Sequence, residues 1–162
     1  MKNTTILREI TAEDNTQIEK VIRDCFPEFG LPLEGTAYAD PETKQMFESY
    51  SGANETYFVV VKDGDVLGGA GIKPLAGLEE SVCELQKMYF SPKVRGLGFG
   101  KLLFQKCLDE AKRLGYKQVY IETIPQLEAA IHVYESFGFK HLDGPMGNTG
   151  HYSCGIWMLK TL

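Results

Sequence analysis

Three glycines alternate with other residues in the segment Val94–Lys101, at positions 96, 98 and 100. An apolar, strand-like run, Leu85–Phe90, and a Ser91-Pro92 turn come just before it, and a helical pattern follows. Glycine lets a backbone approach a ligand closely, and free N–H groups at the start of a helix attract phosphate oxygens. The segment therefore predicts a binding site for a ligand that carries phosphates.

The spacing of these glycines distinguishes between the known kinds of phosphate loop. A P-loop has Ser or Thr after its Gly-Lys pair, whereas here a leucine follows the lysine. The dinucleotide fingerprint needs Gly-x-Gly-x-x-Gly, and here the third glycine comes one position early, although Glu122 loosely satisfies the acidic position downstream. The pattern that matches is Arg-x-x-Gly-x-Gly after a strand, formed by Arg95, Gly98 and Gly100. It resembles the pyrophosphate loop of the GNAT family of acetyl-CoA-dependent N-acyltransferases.

A second segment supports the same resemblance. Ala130, Tyr134 and the pair Gly138-Phe139 have the spacing Ala-x-x-x-Tyr-x-x-x-Gly-Phe, which is similar to a segment of the GNAT family. The two motifs stand in the family's order, with a helix and a strand expected between them. Many members have Asn three residues before the motif alanine, whereas this sequence has Leu127 there. That departure removes one expected contact with the coenzyme.

The resemblance implies a set of residues that bind acetyl-CoA. Backbone N–H groups of the loop would hold the pyrophosphate, assisted by the helix that follows. The backbone of the preceding strand would pair with the pantetheine arm and polarise the acetyl carbonyl, and the cations at the two ends of the loop would add positive charge. These residues are Met88, Tyr89 and Phe90 in the strand, and Arg95, Gly96, Leu97, Gly98, Phe99, Gly100 and Lys101 in the loop.

The resemblance also implies two catalytic residues. An amine with a pKa of about 10.4 is almost fully protonated at neutral pH, so acetyl transfer needs a base. Glu122, which stands twelve residues before the motif tyrosine, holds the position of that base, and Glu84 is a second candidate. Tyr134 is the candidate acid that protonates the departing thiolate of coenzyme A. The structural alternatives are a carboxylate at the solvated end of a strand and an aromatic ring packed in the core.

The four cysteines do not predict a metal site or a nucleophile. They are scattered along the chain, with no Cys-x-x-Cys pair. Cys25 and Cys107 fall on apolar helical faces and are expected to be buried thiols, whereas Cys83 and Cys154 are expected nearer to the surface. We therefore expect catalysis without a metal.

The histidines and the acidic residues offer hints about the acceptor. His132 and His141 are expected at the surface, and His151, beside a glycine-rich loop, is a candidate substrate contact. In the GNAT fold the segment after the first helix often forms one wall of the acceptor site. Here that segment is acidic, which is compatible with a cationic acceptor but also with a solvated surface. Its acidic residues are Glu28, Glu34, Asp40, Glu42 and Glu48.

Composition is typical of a soluble globular protein. The chain has 162 residues, of which 43% are apolar and 24% charged, so we expect one domain spanning residues 1–162. No apolar run approaches the roughly 20 residues of a membrane span, and the N-terminus lacks the apolar region of a signal peptide. A cytoplasmic location is therefore expected. The net charge of −5 argues against a nucleic-acid partner.

Hydrophobic periodicity predicts the elements that position these residues. The pattern predicts strands over 6–10, 56–62, 66–73, 84–90, 117–123, 139–142 and 152–159, and helices over 18–26, 43–50, 98–114 and 126–137. Asp63-Gly64-Asp65 predicts a hairpin turn. A parallel, right-handed crossover is expected around the helix over 98–114. This order matches the GNAT fold, an α/β architecture with a mixed, mostly antiparallel sheet of about six or seven strands flanked by helices.

Together these features predict an acetyl-CoA-dependent N-acetyltransferase. The acetyl group would pass to the primary amine of a small molecule or peptide by direct attack, without an acyl-enzyme. The alternative is a coenzyme A-binding sensor or interaction module that has the same fold and no turnover. An exposed sheet edge is compatible with a homodimer.

Overall fold

The computed structural model describes residues 4–162 and is organised around a seven-stranded sheet. In chain order the strands are β1 (Thr5–Glu9), β2 (Thr56–Lys62), β3 (Asp65–Pro74), β4 (Val82–Phe90), β5 (Gln118–Thr123), β6 (Lys140–His141) and β7 (Ile156–Thr161). Their order in the sheet is β1-β2-β3-β4-β5-β7-β6. Among the described strands only β4 and β5 pair in parallel, which confirms the predicted mixed, mostly antiparallel sheet.

Helices cover both faces of the sheet. They are α1 (Asn15–Phe29), α2 (Met46–Ser49), α3 (Phe99–Arg113) and α4 (Glu128–Ser136), with 3₁₀ turns at Ala12–Asp14, Pro41–Lys44 and Pro92–Val94. Between residues 4 and 162, no helix combines the length and the apolar composition needed to cross a bilayer.

Alternating side chains of β2 pack into separate cores on the two faces of the sheet. In β2, Phe58 and Val60 pack with the buried stripe of α3, whereas Val59 and Val61 pack with α1 on the opposite face. Side chains of a strand point alternately to the two faces of a sheet, so a strand covered on both sides must be apolar throughout. This explains the continuous apolar run of β2.

Several local predictions differ from the structure. Helix α1 continues through Pro27 to Phe29 and closes at Gly30, which has a φ of 64°. Pro27 lies in the last turn, where its missing N–H removes only one intrahelical hydrogen bond. Strand β7 begins at Ile156, four residues later than expected. Cys83 is fully buried rather than near the surface, because β4 is a central strand.

Strands β4 and β5 pair over only a short distance and then diverge. Their register covers Val82–Glu84 and Gln118–Tyr120, although β4 continues to Phe90. In the pairing of β3 with β4, β4 has an extra residue at Lys87, whose φ is 50°. Such a bulge bends a strand and increases its twist. The second half of β4 is thereby left with one edge unpaired by β5.

Candidate active site

The diverging ends of β4 and β5 form the walls of a cleft. The N-terminal loop after α1, helix α4 and the loop before β7 complete its lining. The lining includes both predicted catalytic residues, together with Lys87 and Cys154, to which the sequence assigns no role. The members that matter for the chemistry are Glu84, Lys87, Met88, Tyr89, Glu122, Tyr134, His151 and Cys154.

The glycine loop (Arg95–Lys101) leads into helix α3. Gly96 and Gly98 have φ values of 74° and 87°, a backbone region that favours glycine. A Cβ atom built on either residue would contact nothing within 4 Å, so the backbone conformation rather than crowding requires glycine there. Gly98 is the N-cap of α3, and the first four N–H groups of a helix lack intrahelical partners. The exposed amides of this loop fit a phosphate ligand.

The two cations of the loop have different environments. The Arg95 guanidinium forms an ion pair with Glu28 of α1 and donates to the carbonyl of Phe90, with its Nη2 2.6 Å from that oxygen. Lys101 is exposed at the first turn of α3. The structure therefore connects the Arg95 side chain to α1, while Lys101 is free to reach a phosphate.

The second half of β4 presents one open backbone edge to the cleft. Tyr89 and Phe90 pair on their other side with Gly69 and Gly68 of β3. Met88, Tyr89 and Phe90 are all half-buried. Because β5 has already diverged, backbone groups on the cleft side can pair with an extended ligand, in the manner of an added strand, apart from the Phe90 carbonyl, which accepts from Arg95.

Tyr134 combines a buried ring with a hydroxyl that opens to the cleft. The ring is 4% exposed, and its centroid lies 5.3 Å from that of Phe104. Within residues 4–162 the Tyr134 hydroxyl has no hydrogen-bond partner. No polar side-chain atom there is both fully buried and unpaired, so this unpaired oxygen is accessible from the cleft. Burial raises the pKa of Tyr134 well above its usual value. The phenol therefore stays protonated and is available as a donor.

Glu122 is held by hydroxyl donors at the end of β5. Its Oε1 accepts from Tyr120 at 2.8 Å and its Oε2 accepts from Thr149 at 2.6 Å. Its side chain is only 3% exposed. Val119 and Ile121 point to the core on the opposite face, as the alternation predicted. The carboxylate is thus fixed in position beside the cleft rather than solvated.

Glu84 is a second buried carboxyl in the same cleft. It is 4% exposed, and burial raises its pKa to about 7, with a further increase from the negative charge of Glu122. Gln86 donates to it at 2.5 Å and in turn accepts from Tyr50 at 2.6 Å. Within residues 4–162 no cation lies within ion-pair distance of Glu84. Such a carboxyl is partly protonated at neutral pH.

A network of ion pairs borders these carboxyls. The Lys87 ammonium is 2% exposed and lies 3.2 Å from carboxylate oxygens of both Asp40 and Glu42. Glu42 also pairs with Lys73 at 2.7 Å. The Nε2 of His151 lies 2.8 Å from Asp40. Since an ionised carboxylate only accepts, this nitrogen carries the hydrogen.

The charges of this network shift several pKa values. Burial would raise the pKa of Asp40, but His151 and Lys87 outweigh it and hold the pKa below its usual value. Burial alone lowers the pKa of His151, and the hydrogen bond with Asp40 reverses that effect, so the pKa is raised. We call Asp40, Glu84, Lys87, Glu122 and His151 the polar cluster.

The sequence anticipated only part of this cluster. Asp40 and His151 are 111 positions apart, and no motif relates them. His151 lies in a loop and is mostly buried in the cleft lining, whereas His132 and His141 are exposed as expected. Lys87 was not expected in the cleft, since it lies in an otherwise strand-like run whose bulge no pattern revealed.

The acidic residues expected at one wall of the acceptor site lie in different environments. Asp40 and Glu42 reach the site, where cations neutralise them. Glu28 pairs with Arg95, and Glu48 accepts hydrogen bonds from Asn15. The acidic segment therefore does not form a continuous negative wall.

The chain has close relatives in sequence and in structure. A family model described as "Acetyltransferase (GNAT) family" matches residues 15–139. The uncharacterised N-acetyltransferase YjgM of Escherichia coli (strain K12) is 42% identical over 158 residues, covering 97% of this chain and 95% of that protein. An acetyltransferase of the GNAT family from Staphylococcus aureus Mu50 superposes with a TM-score of 0.86 at 17% identity, over 98% of this chain and 99% of that one.

A second solved structure carries a ligand. The protein yncA from Salmonella typhimurium, solved with its cofactor acetyl-CoA, superposes with a TM-score of 0.77 at 18% identity, over 98% of this chain and 94% of that one. The seven-stranded sheet and its flanking helices are thus a known architecture along nearly the whole chain.

Proposed function

Because this chain belongs to the GNAT family of acetyltransferases, we propose that it transfers the acetyl group of acetyl-CoA to a primary amine of a small molecule or peptide. The observation that carries this proposal is the convergence, on one cleft, of three features from separate elements. They are the open edge of β4, the buried carboxyls of β4 and β5, and the Tyr134 hydroxyl on α4.

The coenzyme would bind along the first of these features. Amides from Gly96 to Lys101 hold the pyrophosphate at the start of α3, and the Met88–Phe90 backbone pairs with the pantetheine arm. A backbone N–H on that edge also stabilises the oxyanion of the tetrahedral intermediate. The related structure solved with acetyl-CoA supports the choice of this ligand.

Glu122 and Tyr134 would move the protons. Glu122 removes a proton from the ammonium form of the acceptor, so that the amine nitrogen can attack the acetyl carbonyl carbon. When the intermediate collapses, the carbon–sulfur bond breaks and the Tyr134 hydroxyl protonates the leaving thiolate. Glu84 is the alternative base, because its pKa of about 7 lies near the operating pH.

The protonation state of the Cys154 thiol favours direct attack over an acyl-enzyme. Cys154 lines the cleft, but burial and the nearby carboxylates raise its pKa to about 12. The thiolate is the nucleophilic form, and little of it exists at neutral pH. Glu84 and Glu122 remain as the carboxyls that can contact a cationic amine.

The first experiment measures turnover directly. The purified chain is incubated with acetyl-CoA and a panel of amino acids, polyamines, aminoglycosides and lysine peptides, and acetylated products are identified by mass spectrometry. Product with one class of acceptor, lost in Tyr134→Phe, supports the enzyme. Thermal stabilisation by acetyl-CoA without any product would favour the alternative, a coenzyme A-binding module with no turnover.

The same proposal assigns the two carboxyls by their pH profiles. Glu122→Gln and Glu84→Gln are compared for kcat against pH with the acceptor found in the panel. If Glu122 is the base, its substitution removes the acidic limb of the profile and most of the rate. An unchanged profile in Glu122→Gln, with loss in Glu84→Gln, would transfer the role to Glu84.

A further inference from the structure

Three potential metal ligands meet beside the cleft. Glu122 lies at the end of β5, and His151 and Cys154 lie in the loop before β7. One donor atom from each of the three lies within 4.8 Å of the other two. Two ligands of a tetrahedral zinc ion are about 3.3 to 3.6 Å apart, given bonds of about 2.0 to 2.3 Å. Small side-chain rotations therefore suffice to close the three donors around one ion.

The orientation of His151 fits such a site. Its Nε2–H donates to Asp40 at 2.8 Å, which leaves Nδ1 directed to Glu122, 3.9 Å from Oε2. Histidine ligands of metals usually donate their other ring N–H to a carboxylate, which fixes the ring and strengthens the ligand. Asp40 occupies that outer position.

The electrostatic surroundings also favour a cation. The carboxyls of Asp40, Glu84 and Glu122 lie around the His151 and Cys154 side chains. Lys87, the nearest opposing cation, is held between Asp40 and Glu42. A divalent ion that binds here displaces the thiol proton of Cys154 to the solvent, and its positive charge offsets the negative charges of the carboxyls.

We propose that Glu122, His151 and Cys154 form a binding site for Zn²⁺ or a similar divalent transition metal, and that its occupation inhibits acetyl transfer. Sulfur, nitrogen and oxygen donors together suit zinc, and three protein ligands leave a fourth position for water. The ion takes the Glu122 oxygen that would receive the proton of the amine. The inhibition, but not the binding, rests on the proposed role of Glu122 as the base.

The binding test uses Co²⁺ as a spectroscopic probe. The chelator-treated chain of 162 residues is titrated with Co²⁺, and the near-ultraviolet charge-transfer band of a cobalt–thiolate bond is recorded. We expect one ion per chain, displacement by Zn²⁺, loss of the band in Cys154→Ser and weaker binding in His151→Gln. A missing band at saturating Co²⁺, or a band that persists in Cys154→Ser, would overturn the site.

A surface pair of histidines provides the matched control. His132 and His141 flank Glu135 on the exposed side of α4, at 3.8 and 3.5 Å. The double variant His132→Gln/His141→Gln should still bind one cobalt ion per chain, and loss of the bound ion there would assign the metal to the surface instead. Should Cys154→Ser fail to fold, alkylation of the wild-type chain replaces it. Under alkaline conditions in which the metal-free chain is labelled, Zn²⁺ should then protect Cys154 from iodoacetamide, as mapped by peptide mass spectrometry, and equal labelling with and without Zn²⁺ would contradict the proposal.

Inhibition is measured separately, by chromatography of the acetylated amine, since free coenzyme A itself binds zinc. We expect Zn²⁺ to lower the rate over the same concentration range in which it displaces Co²⁺, with recovery on addition of a chelator. Displacement of Co²⁺ without any loss of rate would retain the metal site but overturn the inhibition, and with it the role of Glu122.

Discussion

The glycine loop and the polar cluster are built in different ways. The loop depends on backbone: positive φ values at Gly96 and Gly98, exposed amides and the start of α3. The polar cluster depends on buried side chains from β4, β5 and two loops that are far apart in sequence. A site made of backbone tolerates most side chains, whereas a buried charge cluster depends on every partner.

Tyr134 lines the cleft of the polar cluster and packs against Phe104 of α3, the helix that begins at the glycine loop, so its substitution should have the largest effect. Tyr134→Phe keeps the ring packing and removes the proton donor, and kcat should fall by roughly 100-fold or more. Stabilisation by acetyl-CoA in a thermal shift assay should be retained. The matched control is Tyr116→Phe, which also removes a buried hydroxyl, one that donates to the carbonyl of Asn54, without touching the cleft. A normal kcat in Tyr134→Phe would show that the Tyr134 hydroxyl is not the proton donor.

Glu84→Gln tests the electrostatics of the polar cluster. The folded-state pKa of about 7 is raised above the ordinary 4.5, so the wild-type chain loses stability as pH rises from about 4.5 to 7. Removing the charge should increase the free energy of unfolding by roughly 3 kcal/mol at pH 8 and have little effect at pH 4.5. Urea denaturation at both pH values measures the difference.

Glu110→Gln is the control, and it should change the free energy of unfolding in the opposite direction. Glu110 is also buried, but Arg113 and Thr56 donate to it, and the hydrogen bond from Arg113 lowers its pKa. Glu110→Gln should therefore reduce stability at pH 8. If Glu84→Gln were destabilising to the same degree at pH 8, the opposite pKa shifts assigned to Glu84 and Glu110 would be wrong.

Gly98→Ala tests whether the glycine loop depends on its backbone. No atom obstructs a Cβ there, but the φ of 87° costs a residue with a side chain about 1 to 2 kcal/mol. The KM for acetyl-CoA should rise by about tenfold as the loop relaxes, with kcat nearly unchanged. Gly115→Ala, at a φ of 90° at the other end of α3 and equally unobstructed, should lower stability similarly and leave this KM unaltered. Equal KM values in the two variants would exclude a special role for the loop.

The smallest effect is expected from Glu28→Gln, which removes the partner of Arg95. The pair is about one-third exposed, so its loss should reduce stability by less than about 1 kcal/mol. The freed guanidinium would also be available to a phosphate, so the KM for acetyl-CoA should not rise. Asp24→Asn, which breaks the more exposed pair with Lys20, is the control for melting temperature. An increased KM in Glu28→Gln would show that the ion pair itself shapes the loop.

The sequence alone determined the fold class, the family resemblance and most of the elements. The strand over 56–62 was predicted with its observed bounds, and the Asp63-Gly64 turn and the helix after the glycine loop were placed to within one residue at each end. These features follow from local periodicity and glycine spacing, which neighbouring residues encode. For the same reason the family resemblance was readable from two short motifs.

Only the tertiary structure decided the polar cluster. The bulge at Lys87 brings an ammonium into the cleft, and the loop before β7 brings His151 to Asp40 and Cys154 to Glu122. Each of these contacts joins residues distant in the chain, and its position and charge state depend on burial by elements that no local pattern connects. Desolvation and charge pairing act through space, which is why the pKa of about 7 at Glu84 could not be predicted from the residues around it in sequence.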